Sequence, residues 1–205
     1  DMSLNPVNYL CQTDFLLGEV IRSIGKYSIK TTNDPFQSLL QSIIFQQLAG
    51  RAANVIYGRF LGYYNKISPT PEQILSTPDR ILKANVGLSS KKIEYIKDLS
   101  ARITDGRLNL VLISEMTDEQ IVNQLMQVKG IGRWTAEMFL IFCLGRQDVF
   151  PVGDLGVRKA IQRVYSLSEL PSPSTMLAIA QPWKPYRSIA TWYLWKSLSK
   201  FDSIG

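Results

Sequence analysis

The side chains that could do chemistry in this 205-residue chain are quickly narrowed, because it has no histidine and only two cysteines, Cys11 and Cys143. That removes serine and cysteine triads, histidine general bases, histidine-ligated metals, iron–sulfur clusters and cysteine zinc sites at once. Chemistry must rest on carboxylates, hydroxyls, lysines, aromatics and backbone groups. Two segments concentrate them. In Val128-Lys129-Gly130-Ile131-Gly132-Arg133-Trp134, two glycines one residue apart allow a sharp turn and leave amide N–H groups uncovered. At a helix N-terminus such amides suit a phosphate oxygen, positioning a nucleic acid without reading its sequence. A glycine-rich turn with no ligand fits the same residues. In Phe150-Pro151-Val152-Gly153-Asp154-Leu155-Gly156, Asp154 follows a glycine and precedes apolar helical residues, the pattern of a helix N-cap.

The formal charge of +6 favours a polyanionic partner without naming one. It is spread along the chain, which fits a nucleic-acid-facing surface better than a basic tail. The hydrophobic fraction of 45% is that of a globular protein, and the length suits one compact domain. No apolar run reaches the roughly 18 residues of a membrane span. The first residues are polar, so no secretory peptide is expected. The cysteine usage points to a reducing compartment.

The elements that must hold these segments read as helices nearly throughout. Thr13 or Asp14 can cap a segment through Phe15, Leu16, Val20 and Ile24 that stops at Gly25. Asp34 caps the next and Pro35 opens it, with Leu39, Leu40, Ile43 and Ile44 at helical spacing. Another helix covers Ala52 to Tyr63, and Thr70-Pro71 and Thr77-Pro78 each open a short one. Gly87-Leu88-Ser89 ends one helix and caps the next, which carries Ile93, Ile96 and Leu99. Thr117 and Gln120 form a capping-box pattern before Ile121, Leu125 and Val128. Leu108 to Ile113 is the one candidate strand, and Leu170 to Thr175 reads as a surface loop. The expected fold class is all-α, with about ten short helices.

The segment from Val128 to Met138 resembles the hairpin of helix-hairpin-helix DNA glycosylases. Within them it is most similar to the 3-methyladenine DNA glycosylase II type, especially the compact alkylpurine glycosylases of yeasts. That family has a Gly/Pro-rich loop after the hairpin and then an essential aspartate. Val149 to Gly156 fills that slot, with Asp154 twenty positions beyond Trp134. The resemblance runs from about Asp34 to Lys196 and includes Trp183 to Ser188 and Trp192 to Trp195.

The resemblance implies a bilobal fold with a DNA-binding cleft between two helical lobes. A central lobe over 33–144 would carry a wedge loop and the hairpin; 1–32 with 145–205 would form the second lobe and carry the aspartate. Asp154 would stabilise positive charge on the sugar as the base departs and orient the water, while still serving as a cap. Trp134, Met138 and Trp195 would line an aromatic pocket suited to a cationic alkylated purine. For Trp192 the core is the preferred reading. Gln47 would intercalate with Leu48 beside it, filling the hole left by a flipped nucleotide; two surface glutamines at a helix end are the plain alternative. Gly130 and Gly132 amides, with Lys129 and Arg133 nearby, would bind phosphate, and Ser89, Ser90 and Lys91 are further candidates.

Bifunctional relatives carry a Schiff-base lysine where this chain has Trp134, and Lys129 lies before the glycines. The resemblance therefore implies a monofunctional hydrolase that leaves an abasic site uncut. It implies no cofactor and no metal at the catalytic centre, with room for a monovalent cation at the hairpin carbonyls. The expected partner is double-stranded DNA with damaged bases or abasic sites, and the expected state is a monomer. The expected location is the nucleus in a eukaryote, or the cytoplasm and nucleoid in a bacterium. Two positions depart from the family: Ala49 stands where a polar side chain is common, and Gly153 where an acidic one is. The rival readings are a catalytically weak or inactive homologue that binds abasic or distorted DNA, and a general hairpin DNA-binding module.

Overall fold

The computed structural model describes residues 5–201, with side chains as far as Ser199. Among these residues there is no strand. The α-helices are α1 (Pro6–Thr13), α2 (Phe15–Ile24), α3 (Pro35–Phe45), α4 (Gly50–Tyr63), α5 (Pro71–Ser76) and α6 (Asp79–Ile81). They continue with α7 (Ser90–Thr104), α8 (Asp118–Leu125), α9 (Arg133–Phe142), α10 (Leu155–Val164), α11 (Pro173–Ala180) and α12 (Arg187–Phe201). A π-helical turn at Leu82–Val86 and 3-10 turns at Ile113–Glu115 and Gln181–Trp183 join them.

Side chains set the helix starts. Asp34 accepts the Gln37 N–H at 2.9 Å, and Pro35 takes the first position of α3. Asp14 rather than Thr13 caps α2, accepting the Leu17 N–H at 3.0 Å. Thr117 and Gln120 complete a capping box on α8, and Thr70 with Gln73 forms a second on α5. The expected strand is absent. Asn109 accepts the N–H groups of Val111 and Leu112, so the segment folds into turns leading to the 3-10 turn. Local side-chain bonding to the backbone outweighs β-propensity there. Helices α1 and α11 lie where a polar stretch and a loop were expected; Asn5-Pro6 and Ser172-Pro173 open them as cap and first-position proline.

The chain divides into two compact units, one of residues 1–31 with 140–205 and one of residues 32–139. The division falls within α9 rather than after Leu144. In the first unit α12 packs on α10 and α2, and α1 on α2. Their core includes Leu10, Leu17, Ile21, Val157, Ile161, Trp183, Tyr193 and Leu194. The Asp14 carboxylate ties this core, accepting from Trp183 Nε1 at 2.8 Å and from the Tyr165 hydroxyl. Burial, then the Asp14 carboxylate beside it, pushes the Tyr165 pKa up. In the second unit α7 packs along α5 and against α3, which also packs on α4. Leu39, Leu40, Ile43 and Ile44 of α3 and Ile93, Ile96 and Leu99 of α7 are buried, as their spacing predicts. No helix among the described residues is long and apolar enough to cross a membrane.

Candidate active site and nucleic-acid interface

In the first unit the loop before α10 is built to present Asp154. Ser188 donates from Oγ to the Arg146 carbonyl at 2.7 Å and accepts the Val149 N–H at 2.8 Å. Arg187 grips Asp148 with two nitrogens, Nε to Oδ1 at 2.7 Å and a terminal nitrogen to Oδ2 at 3.1 Å. The Asp154 N–H then donates to the Pro151 carbonyl at 2.9 Å, closing the turn. Asp154 is the N-cap of α10: its Oδ1 accepts the Val157 N–H at 2.8 Å. The cap reading is therefore correct, and a second donor reaches the same oxygen. Trp195 Nε1 lies 3.0 Å from Asp154 Oδ1. The carboxylate is only 9% exposed, held at the positive end of a helix by two N–H groups.

Trp195 is half-buried and stacks on Phe142, with ring centroids 5.8 Å apart and planes 22° from parallel. Gly156 leaves the room for this arrangement. A Cβ there would stand 3.1 Å from Asp154 Oδ1 and 3.4 Å from Trp195 Cδ1. Gly153, by contrast, is exposed with nothing within 4 Å of a built Cβ, so its missing side chain is not demanded by packing. Trp192 is half-buried against the core in edge-to-face contact with Tyr27 and Tyr193, and Lys196 lies over its ring.

In the second unit the hairpin joins α8 to α9. Gly130 has φ 83°, and a Cβ there would overlap the Tyr95 ring at 2.3–2.7 Å. Only glycine fits. Gly132 is different: its φ is not positive and a Cβ would meet nothing within 4 Å, so the protein itself has no need of glycine there. Lys129 and Arg133 are exposed and engage carboxylates of their own unit. Lys129 Nζ lies 2.7 Å from Glu94, and an Arg133 nitrogen lies 2.6 Å from Glu119 and another 3.6 Å from Glu137. Hydrogen bonds to Glu94 and Glu119 respectively raise their pKa values. The pairs with Glu94 and Glu119 are exposed on both sides and therefore weak.

Gln47 and Leu48 sit in the turn between α3 and α4. Gln47 is exposed and left-handed at φ 57°, and Leu48 is half-buried. Ala49 is the N-cap of α4 and makes no side-chain cap bond. Ser89 caps α7, its hydroxyl accepting the Lys92 N–H at 3.2 Å, so it is committed to the helix start; Lys91 is exposed in the first turn. Ser90 accepts from Lys83 Nζ at 3.3 Å. Trp134 is 51% exposed on the first turn of α9, and Met138 is half-buried one turn later.

Sequence reasoning did not single out Gln46, Lys92, Glu94, Tyr95 or Asp98. Lys92 reaches the end of α3, and the others touch the hairpin, through contacts between residues distant in the chain. Among the described residues no group of three His, Cys, Asp or Glu side chains could hold a metal ion.

Residues 40–185 match the HhH-GPD superfamily base excision DNA repair protein family. DNA-3-methyladenine glycosylase 1 of Schizosaccharomyces pombe is 34% identical over 188 residues, covering 89% of this chain and 82% of the relative. A crystal structure of a DNA-3-methyladenine glycosidase from Bacillus halodurans superposes with TM-score 0.89 at 35% identity, over 98% of this chain and 92% of that one. The 3-methyladenine DNA glycosylase of Schizosaccharomyces pombe in complex with abasic DNA superposes with TM-score 0.82 at 32% identity, over 93% and 95%. The chain belongs to the HhH-GPD superfamily of base excision DNA repair proteins.

Proposed function

We propose that this protein is a monofunctional DNA glycosylase that hydrolyses the N-glycosidic bond of alkylated purines, 3-methyladenine and 7-methylguanine among them. The observation that carries the reading is Asp154, a nearly buried carboxylate held by a helix amide and an indole N–H. The reaction follows from that group. The C1′–N bond breaks and its electron pair leaves with the base, neutralising the positive charge that alkylation placed there. The sugar becomes oxocarbenium-like, and the Asp154 carboxylate stabilises it electrostatically. Water adds to C1′ and its proton passes to the carboxylate and then to solvent. No general acid is required, and the chain has no histidine to supply one.

The second unit supplies the grip on DNA. Gly132, left bare with no internal cause, gives a phosphate oxygen direct access to the hairpin amides. Lys129 and Arg133 add charge, Gln47 and Leu48 form the wedge, and Trp134 and Met138 contribute apolar surface for the flipped base. Trp134 occupies the position of the Schiff-base lysine of bifunctional relatives, and the Lys129 ammonium is paired with Glu94. The test is base release from methylated duplex DNA by the wild type and Asp154→Asn, with borohydride trapping alongside. Release lost in the variant with no trapped adduct supports the assignment; equal release by both proteins sinks it.

One observation favours a second reading. Ala49 and Gly153 put no polar side chain at two exposed positions where the family commonly has one. A homologue that binds abasic or distorted DNA without excision would release no base while still preferring abasic over intact duplex.

A further inference from the structure

We propose that Gln46 is a positioning residue that locks the Gln47–Leu48 turn in register with the Gly130–Gly132 hairpin, so that gripping the strand sets the depth of the wedge. The proposal rests on the reading above that these two elements contact DNA.

Gln46 Nε2 donates to the Gly130 carbonyl at 2.8 Å, joining residues 84 positions apart. The acceptor is held in place. Gly130 sits in the left-handed region with the Tyr95 ring packed where a side chain would begin, so the direction of its carbonyl is fixed. The hairpin is fastened from the same side: the Lys129 N–H donates to Asp98 Oδ2 at 2.9 Å, and Lys129 Nζ reaches Glu94.

The last turn of α3, which leads into the wedge turn, is fastened as well. Lys92 Nζ donates to the Ile44 carbonyl at 2.6 Å, and burial holds the Lys92 pKa below the ordinary lysine range. Two backbone bonds fold the turn itself, Gln46 N–H to Ile43 O and Leu48 N–H to Phe45 O, both at 3.3 Å. Lys92, Glu94, Tyr95 and Asp98 all stand on α7, which therefore carries wedge and hairpin on one rigid helix. Gln46 ties the two directly.

This arrangement has a mechanical meaning. A wedge free to swivel would have to be ordered as it enters the duplex, which weakens binding at the gap. A wedge tied to the phosphate-binding turn arrives already at the right distance from the strand. The half-buried Gln46 thus turns its side chain to the hairpin, while its neighbour Gln47 is exposed.

The test uses the full chain and two duplexes, one intact and one with a tetrahydrofuran abasic analogue, with affinities measured by fluorescence anisotropy. Gln46→Met keeps the side-chain length and removes the donor. We expect intact-duplex affinity within about twofold of wild type and a preference for the abasic duplex reduced about tenfold, the loss of one oriented neutral contact at a preorganised site. Gln46→Glu, which turns a carboxylate toward the Gly130 carbonyl, should lose the preference at pH 8 as well; it carries the test if Gln46→Met melts below the assay temperature. On a Gln47→Ala/Leu48→Ala background, Gln46→Met should cause no further loss.

Retention of the wild-type preference by folded Gln46→Met or Gln46→Glu overturns the proposal, as does an equal loss on both duplexes. The wedge double variant separates the two levels. If it keeps the abasic preference, the wedge assignment fails and the coupling falls with it. If it loses the preference and the Gln46 variants keep it, the wedge stands and only the coupling is wrong.

Discussion

Trp195 donates its indole N–H to the same Asp154 oxygen that caps α10. One atom therefore serves helix and neighbouring ring together, and the two duties can be separated by substitution. Asn caps helices as well as Asp and keeps an oxygen for both donors, but carries no charge. Asp154→Asn should melt within about 2 °C of wild type, bind abasic duplex normally, and release methylated bases some 10²–10³-fold more slowly. Thermal melting with a single-turnover release assay checks this; substantial release by the variant would remove Asp154 from the chemistry.

Trp195→Phe keeps a ring beside Phe142 and removes the donor. Losing the indole donor loosens the hold on the carboxylate. Base release should fall about tenfold with abasic-duplex affinity unchanged. Gly156→Ala should act in the same direction, because its methyl group would crowd the Asp154 oxygen at 3.1 Å. Single-turnover rates measured beside equilibrium binding separate this from a loss of base-pocket surface, which would weaken both.

The two hairpin glycines should fail differently. Gly130→Ala places a methyl group inside the Tyr95 ring and forces a left-handed alanine, costing about 2 kcal/mol or more of stability. Gly132→Ala meets nothing in the protein, so it should melt near the wild-type temperature and lose duplex affinity about tenfold. Melting curves and anisotropy titrations of the pair provide the comparison; a normal Gly132→Ala affinity would argue against a phosphate at that amide.

Asp98 gives the hairpin a pH dependence. Burial opposes its charge, yet the Lys129 N–H and the Arg102 guanidinium outweigh burial and hold the carboxyl below its ordinary value of 3.8. A depressed folded pKa contributes stability that is present above the unfolded pKa and disappears as pH falls through the folded one. The contribution should therefore be intact at neutral pH and fade below about pH 4. Asp98→Asn should flatten the decline of melting temperature between pH 5 and pH 3; an unchanged acid limb would contradict the assignment.

Helix α4 starts at Ala49 without a side-chain cap. Ala49→Ser supplies one and should stabilise the fold by about 1 kcal/mol, raising the melting temperature by roughly 2–4 °C. Calorimetry measures the gain directly.

What could be read along the chain was local. Asp34-Pro35, Thr117 with Gln120, and Gly25 signal their helix boundaries through bonds spanning a few residues, and the structure has them. Asn5-Pro6 and Ser172-Pro173 carried the same kind of signal in stretches that look polar or loop-like. The Leu108–Ile113 run misleads because it is an apolar run of strand length, while Asn109 within it bonds forward to the backbone. Family likeness pointed to Asp154 and the hairpin. It did not reveal that Trp195 holds Asp154 across 41 positions, or that Gln46 ties to Gly130 across 84. Those partners are chosen by packing, and nothing in the spacing of either residue announces them.

Gln47 adopts a left-handed backbone at φ 57°. A residue with a Cβ gives up roughly 1–2 kcal/mol in that conformation, and the surrounding fold has to supply it. Replacement by glycine would relieve the tension and leave a more stable protein with a blunter, looser tip. Selection for thermal robustness alone would therefore tend to erode this position, and an engineered heat-tolerant variant should be screened for damage recognition before Gln47 is altered.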